Sequence, residues 1–350
     1  MKWLGNFPDR FLAEIAGQPA AIRRARSAMS EQAPLLDELS RRARAASAVV
    51  FTGMGSSYDA CYAPVTLLAG AGISTTMVDA AELLHHRLPA VAADTLVIAV
   101  SQSGESAELV RLAGELTARE RPPALVSVTN GLHNPLARAA SLAIDTRAGE
   151  EFGPSTMTFA ATLVALESVA VALGCPPADG AEAAAGAVER LLDGAEQRAE
   201  QLGDWLGERT ALHLLARGCA RPAAEMGALT LKEAARLPAE SLQTAQFRHG
   251  PLELAGPGQA AIVMAAEPAT RAFDLGLAAE LAGAGSAVLV VSPDGDAPAG
   301  AMGIATGEVS RGLASTAAIV PVQLLTWRLA NLRGLAPGEY SQASKVTTRE

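Results

Sequence analysis

Cysteine is scarce in this 350-residue chain, which contains only Cys61, Cys175 and Cys219. None sits in a CxxC or zinc-ligand spacing, so neither a disulfide framework nor a metal site is expected, and a reduced, cytoplasmic setting follows. Aromatic residues amount to 4%, which leaves packing to alanine, leucine and valine. Basic runs are missing and the net charge is −9, which argues against a nucleic-acid groove. The first residues, MKWLGNFPDRFLAEI, lack the apolar centre of a secretion signal. The longest apolar stretch, 156–174, holds Glu167 among Ala, Thr and Val. It reads as a packed helix, and no membrane contact is expected.

What the chain does have is hydrophobic residues, at 49%, and a length beyond what one core usually serves, so two domains are expected. After a helical arm (1–45), apolar strands alternate with helical periods. ASAVVFTGMGSSYDA and DTLVIAVSQSGESAELVRLAGELTA each give a strand, a small-residue turn and a helix, and ALVSVTN and LAIDTRAGEE add two short strands. That alternation predicts an α/β fold with a parallel sheet covered on both faces. An Ala/Glu-rich stretch (176–206) reads as a helical connector. The plan then returns in TALHLLARGCARPAAEMGALTLKEA, QAAIVMAAEPATRAFDLGLAAELAGAG and SAVLVVSPDG. The expectation is two tandem doubly wound parallel-sheet domains, 46–175 and 207–336, followed by a tail (337–350).

Ligands of such sheets gather at the carboxyl ends of the strands. Two turns lie there, Gly53-Met54-Gly55-Ser56-Ser57 and Ser101-Gln102-Ser103-Gly104-Glu105-Ser106. Small residues, hydroxyls and the N–H groups of a following helix suit a phosphate monoester. The plainer alternative is that Ser101 or Ser103 simply caps a helix. TGMGSS fits neither nucleotide-binding glycine pattern. Further on, LKEAARLPAESLQTAQFRHGPLEL brings Glu233, on a helix, and His249, in a loop, into one segment. A carboxylate and an imidazole can move protons together, although each residue alone is more often structural. The polar tail EYSQASKVTTRE carries Lys345, by default an exposed charge on a frayed end. His85, His86, His133 and His213 show no ligand spacing, and His213 falls in a strand and reads as core.

In this order the pieces resemble the sugar isomerase (SIS) family, more closely the isomerase half of glucosamine-6-phosphate synthase and its stand-alone relatives. FLAEIAGQP, with Glu14, Gln18 and Pro19, is similar to the arm leading into that half. GSSY and SQSGES match its phosphosugar turns, RAGEEFGPSTMTF the segment that closes the sugar site, LKEAARLPAE with HGPL the catalytic stretch, and KVTTRE the end of the tail. The resemblance implies that Ser56, Ser57, Ser101, Gln102, Ser103 and Ser106 hold the sugar phosphate, with Glu151 and Ser344 also meeting substrate. It implies Glu233 as the acid–base between C1 and C2 and Lys345 as the amine that captures the ketose carbonyl. His249 is implied to open the sugar ring in a neighbouring subunit of a homodimer. Proton transfers and imine chemistry require no cofactor and no metal.

The departures bear on specificity. Thr230 stands where the synthase has a second active-site lysine, Gln246 and Arg248 replace Glu and Lys near the HGP turn, and Tyr340-Ser341-Gln342-Ala343-Ser344 replaces a Pro and Leu pattern. These changes are expected at the part of the site that meets the sugar's substituent. With no glutaminase segment or N-terminal cysteine, glutamine-dependent synthesis is not expected. The expected activity is aldose–ketose isomerisation of a 6-phosphorylated amino sugar with ammonia release. The alternatives are a fructosamine-6-phosphate deglycase and a non-catalytic phosphosugar-binding regulator.

Overall fold

The computed structural model describes residues 10–350, so the first nine residues of the expected arm lie outside the described residues. Two five-stranded parallel sheets form the frame. The first contains β1 (Ala48–Thr52), β2 (Thr76–Met77), β3 (Thr95–Val100), β4 (Ala124–Thr129) and β5 (Leu142–Asp145) in the order β2-β1-β3-β4-β5. The second contains β6 (Ala211–Ala216), β7 (Ala239–Gln243), β8 (Gln259–Met264), β9 (Ala287–Ser292) and β10 (Met302–Ala305). Its order, from β7, is β7-β6-β8-β9-β10, the same winding as the first. The expected α/β, doubly wound parallel-sheet class is what the chain adopts.

Strand periodicity explains how the two sheets share one interior. In β3, Leu96, Ile98 and Val100 face the large central cluster, whereas Val97 and Ala99 face a smaller cluster on the outer side. In β8, Ala260, Ile262 and Met264 face the same central cluster, and Ala261 and Val263 turn to a third cluster outside. Alternation of side chains across each pleat therefore gives every central strand two buried faces. Between the sheets lie helices dense in alanine, notably Met157–Ala172, Ala181–Leu192 and Arg221–Ala235, whose small side chains permit close approach. The central core runs through both halves. Met157–Ala172 is the packed helix expected from its composition. Another apolar run, Arg311–Leu332, is long enough to cross a membrane by length and hydropathy, yet 83% of its 18-residue apolar window is buried inside the fold.

The arm is a 22-residue helix, Arg10–Glu31, lying on this core. Gln18 is fully buried, and its Nε2 donates to Gln323 Oε1 at 2.8 Å, tying the arm to the Val320–Leu332 helix of the second half. Two strands escaped the sequence reading. β2 has two residues, and β7 (AESLQ) has no apolar run and only one buried position.

Phe51, in the middle of β1, is fully buried in the central cluster. Phe51→Ala is expected to lower the unfolding free energy by about 3–5 kcal/mol, read by urea denaturation. A loss under about 1 kcal/mol would mean that the cluster is not close-packed there.

Candidate active site

β1 and β3 are neighbours from which the chain winds in opposite directions, so the turns after them open a crevice at the carboxyl edge of the first sheet. Gly55 (φ +50°) and Gly104 (φ +66°) adopt left-handed backbone in the two turns. A Cβ on Gly104 would lie 1.9 Å from Asn134 Oδ1, so no side chain fits there. The turns are joined because the Gln102 N–H donates to Ser57 Oγ at 3.3 Å. Ser101 Oγ accepts from the Gly104 N–H at 3.1 Å, and Ser103 Oγ accepts from the Glu105 N–H at 3.1 Å. These two serines therefore shape the turn without capping a helix. Ser106 is the N-cap of the Ala107–Thr117 helix and makes no side-chain capping bond.

The crevice is a cavity of about 300 Å³. Ser56, Ser57, Ser101, Gln102, Ser103 and Ser106 all line it at one end. Met226, Leu229 and Glu233, spaced along one face of the Arg221–Ala235 helix, form a second wall. Tyr340, Ser344, Lys345 and Thr347 close it from the tail. That tail is docked: the Ala107 N–H donates to the Thr347 carbonyl at 3.0 Å, Arg236 Nη2 donates to Ser341 Oγ at 2.8 Å, and Glu350 pairs with Arg111 and His85.

Burial pushes the Glu233 carboxyl up to about 7, against the pull of the Lys345 ammonium; Glu151 adds to the rise and Lys232 opposes it. Lys345 Nζ lies 2.8 Å from Glu151 Oε2 and donates to the Gly153 carbonyl at 2.6 Å. The Glu151 side chain has no exposed surface. It accepts from the Thr156 N–H at 2.8 Å, the Thr158 N–H at 3.0 Å and both threonine hydroxyls. Glu14, from the arm, accepts from the Phe152 and Gly153 N–H groups, and burial raises its own pKa. Burial, reinforced by the nearby carboxylates, also raises the Tyr340 hydroxyl.

Several expectations change. Glu151 is absent from the lining of this cavity: its carboxylate meets Lys345, and it borders a shallower concavity alongside with Gln102 and Asn130. His249 also lies outside this cavity, exposed in the turn before Pro251. Thr230 is fully buried, with its hydroxyl donating to the Met226 carbonyl at 2.8 Å. Gln246 is exposed, and Arg248 forms a surface pair with Glu280. None of these three departures lines the cavity. His213 is in the core as expected, edge-on to the Phe247 ring.

Residues the sequence reading passed over include Ser155, whose Oγ lies 3.2 Å from Ser56 Oγ, as well as Met226, Leu229 and Glu108. Glu108 Oε2 is buried and makes no hydrogen bond. Helical spacing back from Glu233 would have found Leu229 and Met226. Nothing local marks Ser155, which arrives through tertiary folding.

Residues 44–172 match the SIS domain family. The glutamine–fructose-6-phosphate aminotransferase of Pyrobaculum aerophilum is 29% identical over 361 residues, covering 99% of this chain and 58% of that protein. The chain spans about half the length of the curated relatives it matches. The C-terminal domain of glucosamine-fructose-6-phosphate aminotransferase from Francisella tularensis superposes with TM-score 0.81 at 21% identity, over 97% of this chain and 99% of that one. A candidate phosphosugar isomerase from Silicibacter pomeroyi gives TM-score 0.74 at 26% identity, over 94% and 99%.

Glu151→Gln keeps hydrogen-bonding atoms but removes the charge opposite Lys345. Amide exchange across 341–350 is expected to rise about tenfold or more while β3 is unchanged. Equal exchange in both proteins would show that the other contacts hold the tail without this pair.

Proposed function

We propose that this chain, a SIS-domain protein with the SIS-type fold throughout, is a sugar-phosphate isomerase of the deaminating kind. Its substrate on this reading is a 2-amino aldose 6-phosphate, and its products are the 2-ketose phosphate and ammonia. One observation carries the proposal: a carboxyl poised near neutrality and a lysine amine open onto the same cavity as two hydroxyl-rich turns.

The serine hydroxyls and backbone N–H groups of the turns hold the phosphate and so fix the far end of the open-chain sugar. Glu233 as carboxylate removes the C2 proton while a proton of the C2 ammonium passes to the C1 carbonyl oxygen, and the acid so formed returns its proton to C1. The C2 amine is thereby left as an imine. Water adds to C2, the C–N bond breaks and ammonia departs, leaving the ketone. A carboxyl near pH 7 suits both halves of this transfer. Lys345 can assist by adding to C2 and expelling ammonia, forming its own imine that water then cleaves. For that step its ammonium must lose a proton, and the Glu151 carboxylate 2.8 Å away is placed to accept it. The reading includes a homodimer in which the exposed His249 turn serves the partner's cavity during ring opening.

Glu233→Gln is expected to reduce turnover by about 100-fold or more while retaining sugar-phosphate binding. In the unaltered protein kcat/KM should rise as pH increases through about 7, because only the carboxylate form of Glu233 takes the C2 proton. That limb should vanish in the variant's residual rate. Unchanged turnover would remove Glu233 from the mechanism. Ammonia release from hexosamine 6-phosphates, against amino acid release from fructosamine 6-phosphates, separates deamination from deglycation. Binding without either product would favour a regulator. Light scattering that gives a fully active monomer would exclude the shared histidine.

A further inference from the structure

A second concavity, of about 630 Å³, lies where the Arg221–Ala235 helix finishes, at the amino ends of β6 and β7. Leu212, Leu237, Pro238 and Leu254 give it apolar walls, and Leu254 is 54% exposed there. Its polar groups are His213, Lys232, Arg236 and Glu240.

The histidine is held in one form. Ser286 Oγ donates to Gln259 Oε1 at 2.6 Å, which turns the amide so that Nε2 donates to His213 Nδ1 at 3.3 Å. The ring proton must then sit on Nε2. Burial keeps the ring neutral by lowering its pKa, while Glu240, 3.6 Å from Nε2, opposes this from the rim. The Nε2–H thus faces the Glu240 carboxylate, the one acid in the lining of the groove, and leaves the cations there to meet an anion. Two cations line the groove without acid partners. Among the described residues Lys232 makes no ion pair, and Arg236 makes only its hydrogen bond to Ser341. Arg217, Arg221, Arg248 and Arg311 in the same half are paired with carboxylates, and Arg209 and Arg333 bond backbone carbonyls, away from this groove's lining. In a chain of net charge −9, two unpaired cations beside an apolar wall complement one ligand chemistry.

We propose that this groove binds a small monocarboxylate with an apolar body, and that the bound anion acts on the neighbouring cavity through Lys232 and Arg236. Neither residue lines that cavity, but Lys232 adjoins a residue that does, and Arg236 is bonded to the neighbour of one. Lys232 precedes Glu233 and lowers its pKa, so an anion that neutralises Lys232 raises it. Arg236 holds Ser341, next to the cavity-lining Tyr340, so its recruitment by an anion loosens the tail.

The binding part stands apart from the proposed reaction; the effect on turnover rests on that reading. Octanoate titrated calorimetrically into the full chain without sugar should bind, and octanamide, its neutral counterpart, should bind at least about tenfold more weakly. The Lys232→Gln, Arg236→Gln double variant should lose about tenfold or more while its far-UV circular dichroism shows the fold retained, since both side chains are exposed. No heat of binding, equal affinity for the amide, or full affinity in the double variant would overturn the site. Carboxyl titration of Glu233 by 13C NMR, which needs no turnover, should move to higher pH with octanoate. If octanoate binds and Glu233 does not move, the site stands and its action on the cavity is wrong.

Discussion

A carboxylate with no exposed surface costs several kcal/mol unless donors surround it, and Glu151 is such a carboxylate. Thr156 and Thr158 supply backbone and hydroxyl donors, yet only Lys345 supplies charge. The closed tail is therefore part of how the first half of the chain keeps an acid buried. Glu14 extends the arrangement: from the arm it grips the backbone at 152 and 153, and the carbonyl of Gly153 in turn accepts from Lys345. The arm, the loop after β5 and the tail, distant in sequence, thus meet on one ammonium group. Its position across from Glu233 follows from that meeting.

The electrostatics of the cavity follow from the same pair. Glu233 is raised by burial and only partly relieved by Lys345, whose charge is shared with Glu151. A lysine free of Glu151 would pull Glu233 down more strongly, away from the neutral range in which one group can both take and return a proton. Behind Glu233, Asp59 is pushed up to about 8 by burial and by Glu225. Burial is the larger cause in both groups, and the like charges nearby add to it, as they do where water is excluded.

Much of this was legible in the sequence because its determinants are local. Short apolar runs alternating with helical periods marked β1, β3, β6, β8 and β9, and the clustering of glycine with serine marked both turns, including the left-handed position at Gly104. Lys345 and Glu233 could be singled out, and they share the cavity with the turns. What stayed hidden depends on long-range partners. β7 is stabilised by pairing with β6 rather than by its own residues, and so reads as loop. Glu151 looked like a ligand group because one sequence cannot reveal that Thr156, Thr158 and Lys345 surround it. Thr230 and Glu233 lie three residues apart on one helix, but the first turns into the core and the second into the cavity. The family resemblance placed both near the sugar.

The cavity's charges also dictate how an anion can be held. The ionisable groups in its lining are two carboxyls, Glu108 and Glu233, the Tyr340 phenol and the Lys345 ammonium, and that ammonium already faces Glu151. A phosphate at the serine turns therefore finds no arginine or lysine of its own in this lining. Its stabilisation must come from hydroxyls and backbone N–H groups fixed by Gly55, Gly104 and the Ser57–Gln102 bond. Such donors attract an anion only when they are pre-positioned, since each is weak and none carries net charge. The left-handed backbone at Gly104 is thus a functional constraint as much as a packing one: a side chain there would displace Asn134 from its bonds to Gly131 and Ala137, beside the turn on which recognition of a phosphate would rest.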